Sequence, residues 1–318
     1  MNKEADIPGA ADNSRAVDDS GAADDDSPAA GPDAGSSAEP GGRALTPAVT
    51  MLTTAVAVIS MLVGALLMAV GLTGHAFSAW RSPEPLSSGL VGAAMLGVSP
   101  GLFMVGRARV WEEVRTLLFP LAIVLLGLLA VSLLNAGELQ VVQGGSLLLV
   151  LFSLGWVAVL GLLGLCALVC IALQHLGPAL PLEERIAPLP GWSKPFLAVL
   201  GSAWFGIGAG LLGLPRFWAD FVPWSVNRPD AQALGVWALA LGVGVLGALA
   251  EDDLSRVRPA LLALPGVAIT VAVVLGARAT KVNWTSGPGL SLIILVAGLL
   301  LAGTTGRRLL ARRATPRP

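Results

Sequence analysis

The chain alternates long apolar runs with short polar breaks, and that alternation predicts most of its architecture. Eight apolar runs follow Pro47, covering roughly 48–72, 87–106, 116–134, 146–174, 196–214, 231–250, 260–277 and 289–306. Each is long enough to cross a hydrocarbon core of about 30 Å as an α-helix. An open strand in lipid would leave backbone N–H and C=O groups unpaired, so every run is expected to be helical. The fourth run is too long to stand upright and should tilt or project beyond the bilayer. The expected fold class is all-α, a polytopic membrane protein with eight transmembrane helices.

The pattern is written twice. In one register of 143 residues, Val114-Arg115 falls on Val257-Arg258, Gly144 on Gly287 and Leu147 on Leu290. Each copy is a charged turn, an apolar helix, a polar loop and a second apolar helix. Further upstream Pro83-Glu84 matches Pro229-Asp230, and Leu96-Gly97-Val98 matches Leu241-Gly242-Val243, with shifts of two or three residues. The sequence therefore reads as a tandem 4+4 repeat. Four spans is an even number, so both copies share one orientation and form the parallel type of repeat. The expected divisions are a disordered acidic tail (1–46), a first membrane repeat (47–174), a linker (175–195), a second repeat (196–306) and a basic tail (307–318).

Composition sharpens this picture. Hydrophobic residues make up 54% of the chain and charged residues 13%, against about 25% charged in soluble domains. Ten of the 21 acids precede residue 40, in a segment with too little apolar surface to offset its ordering entropy. A net charge of −1 gives no bulk attraction for nucleic acid. Lysine occurs only at Lys3, Lys194 and Lys281, a bias toward arginine expected of a GC-rich bacterial genome. The first apolar run starts near Pro47, so no cleavable signal peptide is expected. With the N-terminus inside, the inner segments hold 15 basic residues and the outer loops five. That asymmetry predicts cytoplasmic N- and C-termini in a bacterial inner membrane. Trp80, Trp218, Trp224 and Trp284 then fall in outer loops, and Trp111 and Trp192 in inner ones, at headgroup level.

The search for chemistry mostly excludes. No ionisable residue lies in the middle of a run, which argues against cation-coupled pumps and antiporters. His75 and His175 sit at opposite ends of their spans, too far apart to share a metal or haem. HExxH and Walker A runs are absent. No GxSxG nucleophile elbow is expected, because the one matching run, Gly97-Val98-Ser99-Pro100-Gly101, falls inside an apolar span and not at a strand-to-helix turn. No catalytic, cofactor-binding or metal-binding residue is therefore assigned and the chain does not read as an enzyme. Cys166 and Cys170 share a helix face and read as packing thiols. The Pro-acid pairs read as first-turn features that complement the helix dipole.

Glycine carries more information. Ser202, Gly206 and Gly210 form a small-xxx-small pattern that lets helices approach. Span two is broken by Gly97, Pro100 and Gly101, and span six at the matching place by Gly242 and Gly244. Such matched breaks mark a candidate interface or solute site, with spans two and six facing each other across a pseudo-twofold. The two charged turns, carrying Arg115 and Arg258, are expected to pair acids of one with arginines of the other. Alternatively, these arginines hold anionic lipid.

Trp224, Pro229, Gly235 and Trp237, followed by an acidic turn and Val257-Arg258-Pro259, resemble a motif in functionally uncharacterised multi-pass membrane proteins of GC-rich bacteria. The first copy departs from it, with Gly92 and no tryptophan in span two. The resemblance covers the membrane region and implies no activity. Two functions fit the sequence: a non-enzymatic membrane component or interaction partner, and a permease-like carrier or exporter of an uncharged or amphiphilic solute. The expected partners are the lipid bilayer and either a membrane protein or a second copy of the chain.

Overall fold

The computed structural model describes residues 42–177 and 187–314. The stretch 1–41, where a disordered tail is expected, linker residues 178–186 and residues 315–318 lie outside the described residues.

Eight helices are long and apolar enough to cross a membrane. They are α1 (Pro47–Thr73), α2 (Pro85–Met104), α3 (Arg115–Leu134), α4 (Leu147–Leu176), α5 (Ser193–Gly213), α6 (Arg228–Glu251), α7 (Arg258–Ala277) and α8 (Gly287–Ala314). Among the described residues there are isolated bridges but no strand. The chain is an all-α, multi-pass integral membrane protein.

Local sequence sets the helix limits. Proline stands in the first turn of α1, α2, α6 and α7, where its missing N–H is no loss and its fixed φ fits the helix. α1 stops at Gly74, whose φ of 88° continues the chain in the left-handed region. α8 runs on to Ala314, so most of the expected basic tail is helix. No breaker occurs before Pro316, and Arg312 and Arg313 complement the dipole at the helix end. Inside α2, Pro100 cannot donate to the Leu96 carbonyl, which accepts instead from the Ser99 hydroxyl at 2.7 Å.

The helix pairings fall into matched sets. α1 packs along α2 as α5 packs along α6; α2 packs on α7 as α6 packs on α3; α3 packs on α4 as α7 packs on α8. In the α1–α2 seam a Cβ on Gly92 would stand 2.6 Å from the Met68 nitrogen, and one on Gly64 2.7 Å from the Leu96 nitrogen. In the α5–α6 seam Gly208 meets the Leu239 backbone, and a Cβ on Gly235 would lie 2.8 Å from the Leu211 Cβ. Lipid tails are as apolar as leucine, so helices associate through close packing of this kind.

The connecting segments match as well. At one end of the bundle, residues 42–46 run along the segment before α3: the Trp111 N–H donates to Arg43 O at 2.8 Å. Residues 187–190 do the same before α7, where the Leu254 N–H donates to Ala187 O at 2.8 Å. Residues 42–46 therefore belong with the membrane body and not with the tail. At the opposite end, the Gln140 N–H donates to Ala79 O at 3.0 Å and the Asn283 N–H to Pro223 O at 2.9 Å.

Candidate functional site

The glycine breaks are brought into helix seams, but not into one shared seam. Gly97 and Gly101 pack on α7, against Val267 and Ala263 respectively. Gly242 packs on Phe205 of α5, and Gly244 faces Pro120 of α3, where an added Cβ would sit at 3.3 Å. Pro100 is exposed. α2 and α6 do touch, yet each turns its glycine face elsewhere, because a glycine reports that something approaches and not which helix it is. The Ser202–Gly206 stripe is not a seam at all: both residues are exposed, and a Cβ on Gly206 would meet nothing within 4 Å. Gly210 is instead covered by the Trp218 ring.

The centre, where α2, α3, α6 and α7 converge around Gly244, holds a void of only about 50 Å³. Its walls are almost wholly hydrocarbon, with Thr116, Pro120 and Trp237 among them.

The charged turns do meet. Arg115, at the start of α3, donates through both Nε and Nη2 to Glu251 at the end of α6, the second contact at 2.6 Å. Glu251 is buried while Arg115 keeps about a third of its side-chain surface. Arg258 is exposed and acts electrostatically on Glu113. Burial holds the Glu113 carboxyl above its ordinary value, and the backbone donor and charge of Arg109 and the charge of Arg258 oppose that shift. Beside them Lys194 pairs with Asp252 at 2.8 Å.

At the opposite end a buried carboxylate joins the two halves. Asp230 accepts from the Trp80 indole at 2.8 Å and from the Ser82 hydroxyl at 2.5 Å. Its own N–H is capped by the Asn227 side chain, and Asn227 also donates to Arg81 O at 2.6 Å. The Pro-acid pair of α6 thus uses its carboxylate for a contact between the halves beyond any dipole effect. Glu84, the matching acid, stays partly exposed beside Lys281 at 3.7 Å.

A large concavity lies mainly in the second half. A cavity of about 510 Å³ is enclosed by α2, α5, α6, α7 and α8. Trp204, Trp237, Leu295 and Leu299 line its buried depth. Trp218, Phe221 and Trp224, in the segment joining α5 to α6, line the end toward the connecting loops. Its exposed lining residues, Phe221, Gly287 and Ser291, place the mouth between that segment and the start of α8. Trp237, Leu241 and Val267 line both this cavity and the central void, so they form the wall between them.

The corresponding place in the first half is full. In the 143-residue register Phe152 falls on Leu295 and Trp156 on Leu299; Phe77 and Trp80 precede Phe221 and Trp224 by 144. Phe77 packs on Phe152 at 4.6 Å, Trp80 edge-on to Trp156 at 6.4 Å, and Phe152 on Trp156 at 6.0 Å. Those rings leave a void of about 20 Å³. The second half keeps the loop aromatics but carries leucines on its last helix, and the space opens.

No protein-family model matches the sequence, and no curated protein and no solved structure is significantly similar to it. The function has to be read from the chain itself.

Of the four residues lining the cavity depth, sequence reasoning named only Trp237, and that as part of a resemblance and not as a site residue. The signal was present in the register, as Phe152 and Trp156 set against Leu295 and Leu299. It becomes legible only once those positions are known to face inward. Cys166 and Cys170 are free thiols on α4, the second of them buried.

Proposed function

We propose that this protein is a non-enzymatic membrane component that binds an apolar or amphiphilic molecule in its second half. The observation that carries the reading is the cavity of about 510 Å³ beneath Trp218, Phe221 and Trp224. Its volume falls within the range of about 300–1,000 Å³ typical of small-molecule sites. Its walls are hydrocarbon and indole, so the favourable contribution is removal of apolar surface and dispersion contact, not ion pairing.

Binding is better supported than passage through the protein. A carrier cycle would have to open the α2–α7 and α3–α6 seams around the centre, where the void is about 50 Å³ and Gly97 meets the Val267 backbone directly. The matched helix pairings and matched loop hydrogen bonds support the tandem 4+4 reading. The 15-to-5 distribution of basic residues supports cytoplasmic placement of the end bearing Arg115 and Glu251, in a bacterial inner membrane. The bilayer is the partner this reading requires.

The test is tryptophan quenching in nanodiscs by a bromine-bearing alkyl alcohol. Saturable quenching that weakens in Trp204→Phe and Trp237→Phe is expected. Quenching that rises linearly with probe, equally in all three proteins, reflects partitioning into lipid alone and overturns the reading.

A further inference from the structure

We infer that the occupant is one hydrocarbon chain of a bilayer lipid, entering sideways between Phe221 and Ser291 with its headgroup left outside. This inference rests on the binding reading above and names the ligand class. Three observations point to a lipid chain and not to a diffusible solute.

The first is what fills the same place in the other half. There the chain supplies its own hydrocarbon, the rings of Phe152 and Trp156, which pack against Phe77 and Trp80. In the second half Leu295 and Leu299 stand in the matching positions, and Phe221 and Trp224 remain without ring partners on α8. An acyl chain restores the missing apolar volume without any polar group at depth.

The second is where polarity lies. Ser291 is the only hydroxyl in the lining, and it is exposed at the mouth. No charged side chain lines the cavity. At depth the only polar side-chain atoms are the indole N–H groups of Trp204 and Trp237, neither of which has a hydrogen-bond partner. A solute carried whole into this space would find two donors at most, and would bury its other polar groups unpaired at a large desolvation cost. A lipid chain leaves its polar part behind.

The third is the depth and surroundings of the mouth. Trp218, Trp224 and Trp284 cluster at this end of the bundle, the residue type that settles at headgroup level. Leu214, Phe217 and Phe221 beside the mouth are each more than half exposed. Such a rim is stable where acyl chains begin and unfavourable in water. The mouth therefore opens where a lipid chain already lies.

The experiment fills the space with protein. Full-length wild type, Leu299→Trp and Leu295→Phe are purified from membranes in mild detergent, and co-purifying phospholipid is counted by native mass spectrometry. Wild type is expected to retain one more phospholipid per chain than Leu299→Trp. Leu295→Phe, a smaller insertion, carries the same comparison if the tryptophan variant does not fold. Equal retention in wild type and the filled variants overturns the inference. The brominated alcohol distinguishes the two levels of the argument. Saturable quenching with equal phospholipid retention leaves the binding reading standing and removes the lipid chain as occupant. Equal retention with no saturable quenching removes both.

Discussion

Adding one methyl group to Gly97 should separate α2 from α7, and the size of the effect can be worked out in advance. A Cβ on Gly97 would lie 2.5 Å from both the Cα and the N of Val267, about 1 Å inside the optimal carbon–carbon separation. The obstruction is backbone, which cannot rotate away as a side-chain tip can. The seam also includes Gly101, whose Cβ would meet the Pro259 carbonyl at 2.6 Å, and Gly266, which abuts Gly97 itself. Relief therefore requires the helices to part over several turns, and overpacking of this kind costs about 1–3 kcal/mol. Against that stands the gain in helix propensity from glycine to alanine, about 1 kcal/mol. Gly206→Ala provides the control. It lies within α5, has open space around it and carries the same propensity gain. The difference between the two variants then isolates the contact, and should be about 1–3 kcal/mol in favour of Gly206→Ala. Reversible unfolding by SDS in mixed micelles, followed by tryptophan fluorescence, measures it. Identical midpoints for the two variants would show that α2 and α7 do not meet backbone to backbone.

Two further expectations follow from the contacts between halves, and a third from the distribution of basic residues. Glu251→Ala strands the Arg115 guanidinium and should lower stability by about 1.5–3 kcal/mol; the pair Glu251→Leu with Arg115→Met should recover most of that loss in the same assay. Asp230→Ala removes the acceptor of both the Trp80 indole and the Ser82 hydroxyl, and a loss of about 1–3 kcal/mol is expected from the orphaned donors. Reporter fusions placed within 135–144 or 278–287 should report the outside; a cytoplasmic signal from either would overturn the orientation drawn from the arginine distribution.

The eight helices were legible because uninterrupted apolar length is a signal that lipid makes unambiguous. The pairing of Arg115 with an acid of the other turn was legible too, since the charges are few and lie at the helix ends. Which faces meet was not. A lipid-facing surface and a helix seam are equally apolar, so the hydrophobic pattern that orients a soluble helix is silent here. Gly97 and Gly242 do lie at close approaches, on α7 and α5 respectively, but nothing in their spacing assigns them to those helices. Ser202 and Gly206 carry the same spacing and face outward. Asp230 sits in a first turn where a dipole effect would explain it, and only the fold brings Trp80 and Ser82 within reach. The cavity was hidden for a related reason: Leu295 and Leu299 are ordinary residues for a membrane helix until they are set against the aromatic rings of the first half.

The central claim is that hydrocarbon from the bilayer occupies the second half where the protein's own rings occupy the first. A structure determined by electron microscopy in nanodiscs of phospholipid brominated along its chains tests this most directly. The account predicts bromine density within the space bounded by Trp204, Trp237, Leu295 and Leu299, and none among Phe77, Trp80, Phe152 and Trp156. A second-half cavity collapsed or free of bromine density, with lipid confined to the outer helix faces, would contradict it.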